Sequence, residues 1–218
     1  MRLLIRLSFA AIILLNIWSC TSVHKLNLDY HAGTALPGPG KTIKFAVIPF
    51  EDTTWNGLQN PHWVGQANLY GHQLESPLSI SYLVTRGVKN EMAAFGYQLS
   101  SDEIYSIQIN RHDLKTLLKR IPHIHVDFLV GGTINHFFVQ QVGRLIAEVE
   151  IEAYLIRFPL GEIGWTKKIG HREVRIPYPP EEFTPQSAVI LNNLLDKTLK
   201  DLFRNSDFRS HIEPETKR

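Results

Sequence analysis

A chain of 218 residues that is 44% hydrophobic and 20% charged has the size and composition of about one globular domain, which excludes a multidomain machine. Its 23 Lys and Arg face 21 Asp and Glu, a formal excess of +2 that is too small for an electrostatic claim on nucleic acid, so no nucleic-acid partner is expected. The single cysteine excludes an intramolecular disulfide framework and any zinc site with more than one Cys ligand.

The first twenty residues, MRLLIRLSFAAIILLNIWSC, place Arg2 and Arg6 ahead of an apolar run from Leu7 to Leu15 and contain no acidic residue. This is the layout of a secretory signal, and the run is too short for a comfortable transmembrane helix of about 20 residues. Removing Arg2 and Arg6 with residues 1–19 brings the basic side chains to the number of acidic ones. The run ends at Ile17-Trp18-Ser19-Cys20, which resembles the lipobox of bacterial lipoproteins, with Trp18 standing where a small residue is usual. In that family the Cys is lipidated on sulfur, becomes the new amino terminus and is acylated there. The resemblance thus implies that Cys20 attaches the chain to lipid, with residues 20–42 as an anchored linker. More than one acyl chain at ~0.8 kcal/mol per buried methylene satisfies the requirement for stable anchoring. Thr21, a non-acidic residue after the Cys, implies the outer membrane and a domain on its periplasmic face. A cleaved signal with an incidental cysteine, or an uncleaved amino-terminal anchor, would use the same residues differently.

From Thr21 to Lys41 no period of 2 or 3.6 is sustained, and Pro37-Gly38-Pro39-Gly40 has linker composition. Within it Ala35 to Thr42 formally fits a relaxed phosphate-loop pattern. Pro37 and Pro39 remove amide donors, and the segment leads into a strand rather than a helix, so no nucleotide is expected. Ile43 to Phe50 is apolar and β-prone, suited to a strand buried on both faces, and Pro49 ends its pairing. Glu51 to Glu75 then reads as a connection longer than a compact domain ordinarily needs, carrying Trp55, Trp63 and Tyr70. These aromatics either cover the core or wait for a partner; the length of the loop favours an exposed partner-binding surface.

Ser76-Pro77 is a helix start, followed by a stripe of Ile80, Val84, Val88, Met92 and Phe95, with Gly96 as the stop. Tyr97 to Leu99 is a short strand candidate. Asp113 caps a second helix that Pro122 ends. Val126 to Gln140 is apolar on both faces, and Gly131-Gly132 within it suggests a bulge or a close backbone contact. Arg144 to Arg157 alternates, with Ala147, Val149, Ile151, Ala153 and Leu155 opposite Glu148, Glu150, Glu152 and Tyr154. A hairpin at residues 141–143 joins the two. Glu162 to Ile176 is the third strand, with Ile163, Trp165 and Ile169 on alternate positions, and Lys167 or Lys168 within reach of the acidic neighbours. Thr184-Pro185 starts the last helix, whose stripe is Leu191, Leu194, Leu195, Leu199 and Leu202, and residues 206–218 read as a flexible tail.

The expected fold is therefore α/β: a mixed sheet with a βαβα unit, a three-strand antiparallel meander and a C-terminal helix, forming one domain over 43–205. FAVIPFEDTT at 45–54, Phe95-Gly96-Tyr97, the DFLVGGTI segment at 127–134 and Gly161-Glu162-Ile163-Gly164-Trp165 resemble periplasmic lipoproteins related to the amino-terminal domain of TolB, including LpoB, YajG and the globular part of CsgG. That resemblance implies a non-catalytic adaptor or assembly factor that binds an envelope protein, and it leaves a homo-oligomer open. The membrane hairpins of the pore-forming members are not expected, because the strand carrying Glu148, Glu150 and Glu152 has no lipid face.

Ten histidines are many for this length. His123 and His125 stand at strand spacing and, with His136 or with His62 and His72, allow a metal site to be imagined; a periplasmic metal-binding protein or hydrolase is the alternative function. No spaced ligand motif and no G-x-S-x-G occurs, so no catalytic residue, metal or cofactor is assigned. The three glutamates read as a solvated face.

Overall fold

The computed structural model describes residues 22–30, 32, 43–67, 72–100, 118–119, 124–204 and 206–212. Among these residues the strands are β1 (Val23–Lys25), β2 (Lys44–Val47), β3 (Glu51–Asp52), β4 (Trp63–Ala67), β5 (His72–Glu75), β6 (Gln98–Leu99), β7 (Phe128–Val142), β8 (Arg144–Arg157) and β9 (Glu162–Arg175). The helices are α1 (Trp55–Gln59), α2 (Ile80–Ala94), α3 (Pro180–Phe203) and α4 (Ser206–Ile212). This is the expected α/β architecture on a mixed sheet.

Strand β7 is the spine. One edge pairs in succession with β2, β3 and β4, all parallel, and the other pairs antiparallel with β8 along its whole length. Beyond β2 lies β6, beyond β4 lie β5 and then β1, and beyond β8 lies β9. Where β7 is covered on both faces, Leu129 to Gly132 are buried in succession, whereas from Phe137 onward buried Phe137, Val139 and Gln141 alternate with the more exposed Phe138, Gln140 and Val142. Gly143, with φ of +69°, turns the chain from β7 into β8.

The glycine pair marks close approach. A Cβ on Gly131 would lie 2.6 Å from Ile48 Cδ1, and one on Gly132 would lie 2.2 Å from the Glu152 carbonyl oxygen and 2.3 Å from Phe50. The bulge itself comes later, between Ile134 and His136. A second irregularity, opposite Leu155 and Ile156, falls at Gly164, so Trp165 pairs with Leu155 and is buried while Ile163 pairs with Ile156 and is exposed. The expected simple alternation of Ile163 with Trp165 is therefore interrupted.

One face of the sheet is covered by α2, α3 and α4. Leu145, Ala147, Val149, Ile151, Ala153 and Leu155 of β8 share one core with the predicted stripes of both long helices, α3 lying against β8 and β9 and α2 against β2, β3 and α3. At the far end of the opposite face a smaller cluster joins Ala46, Ile48, Leu129, Tyr154 and Ile156 to Leu118, so the acidic face of β8 becomes apolar at Tyr154. Leu118 and Lys119 are helical; the rest of the helix expected over 113–121 lies outside the described residues.

Several boundaries move. Ser79 rather than Ser76 caps α2, accepting from the Tyr82 N–H at 3.3 Å, while Ser76 is buried and accepts from the Leu78 N–H. Gly96 is the stop as expected: its N–H donates to Ala93, and the Tyr97 N–H to Met92, satisfying two end carbonyls. Helix α3 begins at Pro180, a turn before Thr184-Pro185, because Pro suits the first helical position, Glu181 and Glu182 suit the amino-terminal end, and buried Phe183 draws that turn to the core.

Two segments read as unstructured are part of the domain. Leu26, Leu28 and Tyr30 are buried between exposed Asn27 and Asp29, and β1 adds to β5, so the linker reading fails for residues 22–30. An alternation of five residues is too short to stand out without the groove that receives it. The tail reading fails for α4, whose Phe208 and Ile212 are buried, with Phe208 edge-on to Trp165 at 5.0 Å.

Candidate functional site

The segment 51–75, expected as one long loop, folds into β3, α1 and the β4–β5 hairpin, because its polar side chains bind its own backbone. Asp52 Oδ1 accepts from the Thr54 N–H at 3.0 Å and from the Thr54 hydroxyl at 2.7 Å. Thr54 Oγ1 in turn caps α1 by accepting from the Gly57 N–H at 2.9 Å. Thr53 ties the start of this turn to β7, its N–H and hydroxyl both donating to the Ile134 carbonyl. The anchor point is the residue at which the β7 bulge begins, so the bulge and α1 are positioned together.

Downstream, Asn60 holds the entry to β4. Its amide donates to Glu75 at 2.7 Å, and its side-chain oxygen accepts from the His62 N–H. The Asn60 carbonyl also accepts from the Trp63 N–H at 3.0 Å. Trp63 is consequently fixed at the beginning of β4, half-buried.

Trp55 and Trp63 come together on one cleft of about 270 Å³, with Asn135, His136, Phe138 and Gln140 of β7 as its floor. Trp55 is 75% exposed although its helix is capped and tied down, and Leu58 on the same helix is exposed as well. His136 stacks edge-on against Phe138 at 6.2 Å, and its Nε2 lies 4.0 Å from Glu150 Oε1. Lys168 donates to the same Glu150 oxygen at 2.6 Å, which holds its ammonium above the ordinary lysine range. Glu150 and Glu148 thus face basic residues of β9, Lys168 and Arg172, across the strand pair. The cleft combines indole and phenyl faces with the neutral amides of Asn135 and Gln140 and the His136 ring.

Of the residues singled out from sequence, Trp55 and Trp63 share this cleft, whereas Tyr70, Cys20 and the phosphate-loop-like segment 35–42 lie outside the described residues. Apart from the neighbouring His24 and His72, the described histidines are dispersed. His62 Nδ1 meets the Ser76 carbonyl at 3.0 Å, His72 meets Ser22 and lies edge-on to His24, and exposed His125 precedes β7. His123 is outside the described residues. Among the described residues, no three His, Cys, Asp or Glu side chains converge as metal ligands. Phe138 and the amides of the cleft floor had no separate sequence signal, since strand periodicity alone does not say which face stays uncovered. The Asp52-Thr53-Thr54 run, a cap signature, could have revealed α1.

No family model matches the chain, and no curated protein matches it. Solved structures do. Protein XCC0632 of Xanthomonas campestris, a DUF330 protein, superposes with a TM-score of 0.53 at 10% identity, covering 83% of this chain and 91% of its own. Structures that align less closely include bacterial lipoproteins. Lipoprotein GNA1162 of Neisseria meningitidis has a TM-score of 0.38 at 12% identity over 69% of this chain and 96% of its own. The LpoB C-terminal domain of Salmonella enterica has 0.36 at 13% over 62% and 87%. The likeness to XCC0632 is one of fold, and the two weaker alignments add no argument.

Proposed function

We propose that this chain is a lipoprotein of a bacterial envelope, attached through Cys20 to the outer membrane on its periplasmic side. It acts without catalysis, holding an envelope protein partner in the Trp55–Trp63 cleft. The observation that carries the reading is Trp55: an indole 75% exposed on a helix whose cap and base are hydrogen-bonded to its surroundings. A large aromatic ring kept in water by a fixed backbone, beside a second indole and a phenyl, has the character of a binding hot spot. The signal layout and the lipobox-like residues 17–20 support the anchor.

The test places a photoreactive amino acid at Leu58, beside the cleft, in the full-length chain in intact cells. The expected result is one specific envelope-protein adduct that Trp55→Ala and Trp63→Ala each abolish while the purified variants melt cooperatively. Loss of folding without a separable loss of capture would remove the reading, and so would an adduct pattern unchanged by both substitutions.

A further inference from the structure

The sheet has one end at which the anchor and the exposed apolar residues coincide. The Ser22 carbonyl already accepts from the Gln73 N–H at 3.0 Å, so the chain has entered the sheet two residues after Cys20. Two residues span at most about 7 Å, whatever their conformation. A cysteine joined to lipid therefore leaves no length for a tether, and the edge of β1 must sit at the bilayer surface.

The register shows what else lies at that end. One lateral row runs Val23–Gln73–Gln66–Gln140–Ile146–Val174 across six strands, a width of about 24 Å at the usual strand spacing. Beyond this row, in the direction from which the chain enters β1, come the hairpin turn Val142-Gly143-Arg144 and the segment after β9. Val23, Val142 and Val174 are each about half exposed, and Ile176 is 85% exposed. The Ile176 segment is held rather than loose. Buried Gln141 donates to the Tyr178 carbonyl at 3.0 Å and accepts from the Tyr178 N–H at 2.9 Å, and Arg175 donates to the Tyr178 hydroxyl at 2.8 Å. Arg144, Arg175, Val174, Ile176 and Tyr178 line a groove of about 860 Å³.

We infer that this end of the sheet is a lipid-contacting surface: Val142, Val174 and Ile176 enter the headgroup boundary of the membrane that holds Cys20, with Arg144 and Arg175 at the level of the lipid phosphates. The inference rests on the lipid-anchor reading of Cys20. Exposed apolar side chains flanked by guanidinium groups match an interface in which stems bury and charged heads stay wet. Glu173 pairs with Arg175, and Glu181 and Glu182 open α3 nearby, so apolar contact rather than net charge supplies the attraction. A patch this small is weak alone, but the anchor makes its contact intramolecular. The domain is then held upright. His136 is six residues along β7 from Val142 and Gln140 only two, so the Trp55–Trp63 cleft runs from about 7 Å to about 20 Å above the surface, and its far end stays open to a partner.

The experiment uses the full-length acylated protein in phosphatidylethanolamine–phosphatidylglycerol vesicles whose acyl chains are brominated. An environment-sensitive fluorophore is attached through Ile176→Cys or, in a separate preparation, through Leu58→Cys, and mass spectrometry reads the acylation of Cys20. Both positions are exposed, and thermal melting checks that each variant folds. The expected result is a blue-shifted emission and about two-fold or greater quenching at position 176, with neither at 58. Acylated protein unquenched at 176, or quenched equally at both positions, overturns the inference and leaves the anchor standing. A Cys20 without acyl chains overturns the anchor reading and this inference with it. A blue shift at 176 without bromine quenching assigns the surface to contact with protein rather than lipid and likewise overturns the inference.

Discussion

The Tyr30 hydroxyl donates to a carboxylate oxygen of Glu91 at 2.6 Å, in a core where Glu91 is fully buried. The other Glu91 oxygen accepts from Arg204 at the end of α3. One carboxylate thus joins the segment after β1, the last turn of α2 and the end of α3. Removing one partner from such a group leaves a buried charge uncompensated. Arg204→Ala, which leaves the buried Glu91 carboxylate without its cation, is expected to lower the unfolding free energy by about 3–5 kcal/mol, and Tyr30→Phe by about 1–3 kcal/mol, both read from urea titrations at neutral pH.

Tyr30 also gives a pH signature. Burial first, and then the hydrogen bond to Glu91, hold its phenol well above the ordinary tyrosine range. The folded state therefore favours the neutral phenol. Its contribution is fully present below the unfolded value of about 10 and is lost as pH rises beyond it, because only the unfolded chain can then release the proton. The alkaline decline of unfolding free energy should be shallower in Tyr30→Phe than in the parent; equal slopes would contradict the assignment.

Asp207 titrates in the opposite sense. The Trp165 indole N–H donates to it at 3.0 Å and Lys167 stands at 3.4 Å, and these bonds hold its carboxyl below the ordinary carboxylate range. A depressed folded value means a contribution present above the unfolded value of about 3.9 and lost as pH falls through the folded one. Asp207→Asn should melt below the parent near neutrality, and the two melting curves should converge in acid.

Two glycines separate close approach from mere turn composition. Gly132→Ala would press a Cβ against the Glu152 carbonyl, part of a paired backbone that cannot give way, whereas a Cβ at Gly164 meets nothing within 4 Å. Gly132→Ala should cost at least the about 1–3 kcal/mol of an overpacked core. Gly164→Ala should stay within about 0.5 kcal/mol of the parent. Thermal melting of the two variants decides.

The long elements were legible because their signals are local and repeated. The stripe from Ile80 to Phe95, the leucines from 191 to 202 and the alternation of β8 each extend over several periods, and Gly96 and the turn at 141–143 carry their own chemistry. The short elements were not. Leu26, Leu28 and Tyr30, strand β5 and helix α4 are each too brief to show a period, and each exists because a neighbouring edge or groove receives it. The same holds for the site. Trp55 and Trp63 stood out as large aromatics in a polar stretch, but their partners Phe138 and Gln140 lie more than seventy residues away and look like any strand residues.

The sequence by itself determined the class of the fold, the stripes of the two long helices and the expectation that Cys20 is the point of attachment, since composition, periodicity and a signal layout are properties of the chain alone. Tertiary structure decided that residues 22–30 and α4 pack onto the domain, which face of β7 stays open at the cleft, and that Val23, Val142, Val174 and Ile176 lie along one end of the sheet. Those outcomes depend on strand register across β1, β5, β4, β7, β8 and β9, and register is set by pairing between distant segments.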